Sequence, residues 1–154
     1  WESSTAEVEE MGVRRVIIRT GLVLSAQGGI LPVMLLPFRF FVGGPLGKGN
    51  QFVPWIHIQD EIKTISFLLK NQTTQGVYNL SSPNPVTNAE FGRIAGHVLD
   101  RPFWLPVPAF ALRIALGEKA SLVLDGQRTI PLRLQEAGYN FIFEKLKPAL
   151  KDLT

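Results

Sequence analysis

At 154 residues the chain is about one domain long, with 45% hydrophobic and 19% charged residues, enough apolar material for a core and too much for a disordered or collagen-like chain. Sixteen basic against thirteen acidic residues leave a net charge of +3, with no basic block to concentrate it, which argues against nucleic acid as a partner. Cysteine is absent, excluding disulfides, thiolate metal sites and a Cys nucleophile and fitting a reducing, cytoplasmic setting.

Ser4–Thr5–Ala6–Glu7 matches the Ser/Thr-x-x-Glu capping box and predicts a short helix closed by Gly12. Its acids, Glu2, Glu7, Glu9 and Glu10, and its lack of a base are unlike a targeting signal. Val13 to Ser25 reads as a strand buried on both faces, as in a parallel sheet, with no evident partner strand downstream. Gln27–Gly28–Gly29 breaks the chain before the apolar run Ile30 to Phe41, whose Pro32 suits a first helical turn. The run is far short of the ~20 apolar residues of a membrane span, so no membrane is expected as partner.

Gly43 to Asn50 is the most flexible stretch on composition and reads as a loop or lid over a pocket. Phe52 to Ile58 is a short strand, and Asp60 to Lys70 a helix with Ile62, Ile65, Leu68 and Leu69 on one face. Val77 to Leu80 is a further strand. Thr87–Asn88–Ala89–Glu90, a second capping box, opens a helix to about Leu99 that turns Phe91, Ile94, Ala95 and Val98 inward. Phe103 to Pro108 is extended by its prolines. Phe110 to Leu116, Lys119 to Leu124, Pro131 to Glu136 and Glu144 to Leu153 read as short helices.

Little of this carries chemistry by itself. The glycine loop fails as a phosphate-binding P-loop: Val42 stands where the first glycine belongs and Gly49 where the Ser/Thr belongs. His57 and His97 have no second His or Cys at ligand spacing, so no metal site is expected. His97 lies within a helix as a surface or boundary residue. His57 ends a strand just before a helix, where α/β folds collect ligands, yet simple packing of the ring explains it as well. Arg19 sits where the strand gives way to Thr20–Gly21, a place from which a guanidinium can grip phosphate; a solvent-facing charge is the equal alternative. Tyr78 is followed four residues on by Ser82, and Tyr139 by Phe143, so no Tyr-x-x-x-Lys pair exists and no catalytic residue is assigned.

From Arg19–Thr20–Gly21–Leu22–Val23–Leu24 onward the order of motifs resembles the second half of an atypical extended short-chain dehydrogenase/reductase. More narrowly it is similar to the NAD-dependent epimerase/dehydratase-like branch called epimerase family proteins. Pro37–Phe38–Arg39, Gly43–Gly44–Pro45–Leu46–Gly47, Trp55–Ile56–His57–Ile58, Asn84 to Phe91, Leu105 to Ala109, Gly117–Glu118 and Glu136 to Tyr139 carry the resemblance. It implies an α/β fold: the end of a Rossmann-type parallel sheet in residues 1–25, then a mixed, mainly helical substrate-binding domain in 26–154.

The resemblance also implies NADP as cofactor, held mostly by an N-terminal Rossmann half that is this chain's partner and that carries any catalytic Tyr and Lys. Arg19, Thr20 and Gly21 would line the cofactor; Arg39, Gln51, Trp55, His57 and the Gly43–Gly49 loop would face a small-molecule substrate. Nucleotide-sugar epimerases of this type place an Arg-Asp pair before the His-containing strand; Val53 and Pro54 stand there, and Gln59 replaces a following aspartate, which argues against a nucleotide sugar. The function expected is the substrate-binding part of an NADP-dependent oxidoreductase or epimerase. The alternative is a non-catalytic NADP-binding regulator in redox sensing or division. A transit peptide on a longer protein would place either in an organelle.

Overall fold

The computed structural model describes residues 5, 7–108, 110 and 126–154. The expected capping box at 4–7, the helices 110–116 and 119–124, and the Gly117–Glu118 motif fall wholly or partly outside the described residues. After the single turn α1 (Glu7–Glu10), β1 (Val16–Thr20) and β2 (Leu22–Leu24) form one strand with a step in it, followed by α2 (Leu31–Arg39). Next come β3 (Phe52–Val53), β4 (Trp55–His57), α3 (Ile58–Lys70), β5 (Gly76–Leu80), β6 (Val86–Thr87) and α4 (Asn88–Leu99). Two short helices, α5 (Leu132–Glu136) and α6 (Leu146–Leu153), lie nearest the C-terminus.

The stepped strand does find partners downstream, contrary to expectation. β1 pairs in parallel with β5, from Val16 opposite Gly76 to Thr20 opposite Leu80, and β2 pairs in parallel with β4, from Leu22 opposite Trp55 to Leu24 opposite His57. Gly21 is where one partner gives way to the next: its N–H donates to Leu80 O at 2.9 Å, and the Leu22 N–H donates to Pro54 O at 2.6 Å. A Cβ on Gly21 would lie 2.7 Å from Pro54 O, so only glycine lets the strands meet this closely. Both ladders cross the division expected at residue 25. β3 and β6 pair antiparallel beside them.

Residues alternate across the sheet, and a core forms on each face. Leu24, Trp55 and Phe91 pack with Leu31, Leu35 and Phe38 of α2, Ala95 of α4 and Leu146, Ala149 and Leu150 of α6. On the other face Ile56, Tyr78 and Leu80 pack with Leu68 of α3 and Leu134 of α5. Helices thus cover both faces of the sheet, in agreement with the α/β class.

Two expectations about burial are corrected. The strand 13–25 is not buried on both faces: Ile18 is 43% and Leu22 36% exposed, and β1 has β5 as its only strand neighbour among the described residues. In α3 the inward row is Asp60, Glu61, Thr64 and Leu68, while Ile62 and Leu69 are 61% and 69% exposed. The His57 cap fixes the helix's phase, and polar partners, not apolar count, decide which face turns in.

Candidate functional site

The carboxyl ends of the parallel strands bring together the end of β1 and the β4–α3 corner. His57 is in the β conformation at the N-cap of α3 and is 1% exposed. Its Nδ1 accepts from the Gln59 N–H at 3.1 Å, so by elimination Nε2 carries the proton. Nε2 lies 3.2 Å from Oδ2 of Asp152 on α6, off the line of a good hydrogen bond, and the ring stacks on Phe143 with centroids 3.9 Å apart. Burial lowers the imidazole's pKa below its ordinary value, with Asp152 and then Asp60 pulling it partly back. The ring is a buried helix cap.

Asp60 is fully buried and organises the corner. Its Oδ1 accepts from the Tyr139 hydroxyl at 3.0 Å and the Ile142 N–H at 2.9 Å, and its Oδ2 from the Phe143 N–H at 2.8 Å. Burial is the main cause that raises the Tyr139 pKa, to about 12. Beside it Glu61, 8% exposed, accepts a hydrogen bond from the Thr20 hydroxyl on Oε1 at 3.0 Å, while its Oε2 has no hydrogen-bond partner among the described residues. Burial raises the Glu61 pKa and the Thr20 bond opposes it.

The candidate residues do not share one pocket. Arg19 and Thr20 are both exposed, and strand alternation sends them to opposite faces of the sheet, Thr20 toward α3. Gly21 fits tightly between them and Pro54. Arg39 is exposed in the last turn of α2, where a cation complements the helix dipole. Gln51 donates from Nε2 to Leu46 O at 3.0 Å, and its own carbonyl accepts the Asn88 N–H at 2.8 Å, so it braces the glycine loop. Trp55 has no exposed surface, and its Nε1 finds no partner among the described residues. Trp55 and His57 both lie behind the surface, in the core.

The glycine loop is braced where looseness was expected. Gly43 and Leu46 bridge to Phe103 and Val107, the Leu46 N–H donates to Asn88 Oδ1 at 2.8 Å, and the Gly47 N–H to Val107 O at 2.8 Å. A Cβ on Gly44 would fall 1.7 Å from Leu105 O, so glycine serves close backbone approach here.

Two open clefts, of 520 and 470 Å³, lie at the other end of β1, lined by Arg14 and Arg15 together with Gln75 in one and Ile18, Ile65 and Leu69 in the other. None of the candidate residues lines either. Among the described residues no group of three His, Cys, Asp or Glu could hold a metal, and no helix is long and apolar enough to cross a membrane. Sequence reasoning missed Asp60, Glu61 and Asp152. Acids in the first turn of a helix suit its dipole, so the positions of Asp60 and Glu61 give no sign of their buried partners.

Comparisons with known proteins place this arrangement. Residues 107–153 match the family model described as Domain of unknown function (DUF1731). The chain is 40% identical over 153 residues to Epimerase family protein YfhF of Bacillus subtilis, covering 99% of this chain and 50% of that protein. It superposes on the crystal structure of human epimerase family protein SDR39U1 (isoform2) with NADPH at a TM-score of 0.87 and 40% identity, covering 92% of this chain and 48% of the human one. A nucleoside-diphosphate sugar epimerase from Corynebacterium glutamicum is 29% identical with a TM-score of 0.78, over 99% of this chain and 29% of that one. The chain spans about half the length of the curated relatives it matches.

Proposed function

The chain belongs with the epimerase family proteins, of which it matches the C-terminal portion, and from that premise we propose that it supplies one wall of an NADP site and the substrate side of a short-chain dehydrogenase/reductase-type oxidoreductase or epimerase. The observation that carries this reading is the open edge of β1. Among the described residues β1 has one strand neighbour, exposes Ile18 and ends at Arg19–Thr20–Gly21 on the carboxyl side of the sheet, while Leu22 of β2 and Ile62 and Leu69 of α3 are exposed as well. Such an edge suits a further parallel strand, supplied by a Rossmann half of the same protein. In that assembly the cofactor supplies hydride transfer, and acid–base chemistry comes from residues outside this chain.

Within the reading, Arg19 holds a phosphate or ribose oxygen, Thr20 and Gly21 line the cofactor, and Arg39 and the braced glycine loop border the substrate, with Gln51, Trp55 and His57 shaping that border from behind. The substrate is less charged than a nucleotide sugar. Val53, at the position where a phosphate-binding arginine would stand, is 6% exposed and packed in the core.

Arg19→Ala in the complete protein tests the cofactor role. NADPH binding measured by titration calorimetry should weaken by about 1.5–3 kcal/mol, the scale of a charge-assisted hydrogen bond; an unchanged dissociation constant would end the assignment. Micromolar binding of a nucleotide sugar to the same protein would overturn the substrate reading.

A further inference from the structure

β5 has a second edge, away from β1. It pairs with β1 on one side, and among the described residues no strand lies on the other. The Gly76 N–H donates to Arg15 O, and Leu80 O accepts from the Gly21 N–H, so the even-numbered residues of β5 spend their backbone groups on β1. Alternation turns the groups of Gln75, Val77 and Asn79 outward, a row that a strand of another chain can extend. The Arg133 side chain, from the second residue of α5, lies along that row. Its Nη1 donates to Val77 O at 2.6 Å and its Nη2 to Gln75 O at 2.8 Å, short as charge-assisted bonds are, and the guanidinium sits 4.4 Å from the centroid of the Tyr78 ring. The seat is built on three sides. Tyr78 is buried beneath the cation, and the fully buried Leu134 packs α5 against the same core. Gly76 leaves room for the fork, since a Cβ there would come 3.2 Å from Nη1.

We infer that Arg133 seals the outer edge of β5 against strand addition by a second copy of the chain. An incoming strand has to donate N–H groups to the outward carbonyls. Two successive ones, Gln75 O and Val77 O, already carry a fork that donates and cannot accept, so the strand meets it donor to donor. To pair there it must displace the guanidinium and leave a cation over Tyr78 without its oxygens. A second copy is the partner to be kept out because the edge is self-complementary. Two β5 segments related by a two-fold axis run antiparallel, each offering the same row to the other. The inference concerns β5 alone and stands whether or not the cofactor reading holds.

Sedimentation velocity of the complete protein over a concentration series tests this. Arg133→Met keeps a long stem over Tyr78 but donates nothing, and its weight-average mass should climb with concentration toward about twice the parent's. Arg133→Lys, a point charge in place of the fork, should associate less than the methionine protein at each concentration, and it carries the comparison alone if that protein fails to fold. Adding Asn79→Pro to either variant deletes an outward N–H that β1 does not use, and should return the mass to the parent's. Amide exchange locates the contact: in the associated variant the Val77 and Asn79 N–H groups should slow as concentration rises, while in the parent they should not change. Masses equal to the parent's in both single variants would overturn the inference. So would association that Asn79→Pro leaves in place, because contact through unfolded chain or another surface does not need that N–H.

Discussion

Replacing Asp60 with alanine should unsettle the β4–α3 corner more than any other single change. The substitution removes the acceptor for the Tyr139 hydroxyl and for the Ile142 and Phe143 amides, three donors held at 3.0, 2.9 and 2.8 Å. A buried donor left without a partner costs about 1–3 kcal/mol, and since these three are only partly buried the sum falls at about 3–5 kcal/mol. At roughly 2–4 °C per kcal/mol for a domain near this size, the melting temperature should fall by about 10–15 °C. Asp60→Asn keeps one acceptor oxygen but turns an amide N–H₂ toward a backbone N–H, and should cost about half as much. Calorimetric melting of the two variants and of Tyr139→Phe, combined in a double-mutant cycle, separates the hydroxyl's share from that of the backbone amides. An Asp60→Ala protein melting within about 2 °C of its parent would refute the claim that this carboxyl holds residues 139–143 to the helix.

His57, whose pKa burial lowers from 6.5, binds fewer protons in the folded than in the unfolded chain just below that pH, so its contribution is complete above pH 6.5 and lost as the pH falls through the folded value. Melting curves should therefore show His57→Asn, which keeps a capping side chain, gaining on the parent between neutral and mildly acidic pH, with the opposing influence of Glu61 common to both; a pH-independent gap would contradict this. Gly44→Ala should push the glycine loop off Leu105 and cost about 1–3 kcal/mol in denaturant unfolding, and a neutral result would mean the brace yields easily. Ile18→Lys separates a covered edge from a free surface: the complete protein should lose about 2 kcal/mol or more if a strand packs there, against less than about 0.5 kcal/mol for an ordinary surface site.

Local signals read well and non-local ones did not. The second capping box forms as its spacing implies, with the Glu90 N–H donating to Thr87 Oγ1 at 3.3 Å and the Thr87 N–H to Glu90 Oε2 at 2.7 Å. β5 and the helix after it also fall where periodicity puts them, and His97 is exposed as expected. The partners of the strand 13–25 were invisible because parallel pairing links residues as distant as Val16 and Gly76, and nothing in an apolar run names its neighbour. The phase of α3 was misread because four apolar residues outvoted two acids on pattern, whereas Asp60 and Glu61 each have a fixed hydrogen-bond donor inside. Glycine was read as slack at residues 43–49, since a sequence does not distinguish a glycine needed for freedom from one needed for contact. For the site, the position of Arg19–Thr20–Gly21 at a strand's end was legible; the carboxylate behind Thr20 was not, because it lies forty-one residues away.

The pairing of Leu46 with Val107 has a consequence for how such proteins are cut and recombined. The family boundary at residue 107 falls on a rung of that brace, and the stretch it opens is fastened elsewhere by Arg133 to Val77 O, Phe143 to Asp60 and α6 to α4. A chimera that exchanges residues 107–153 between relatives would thus exchange half of several locks without their keys. Grafts that carry the glycine loop, the β4–α3 corner and the C-terminal stretch together are the ones whose seams fall on solvent instead of on hydrogen bonds.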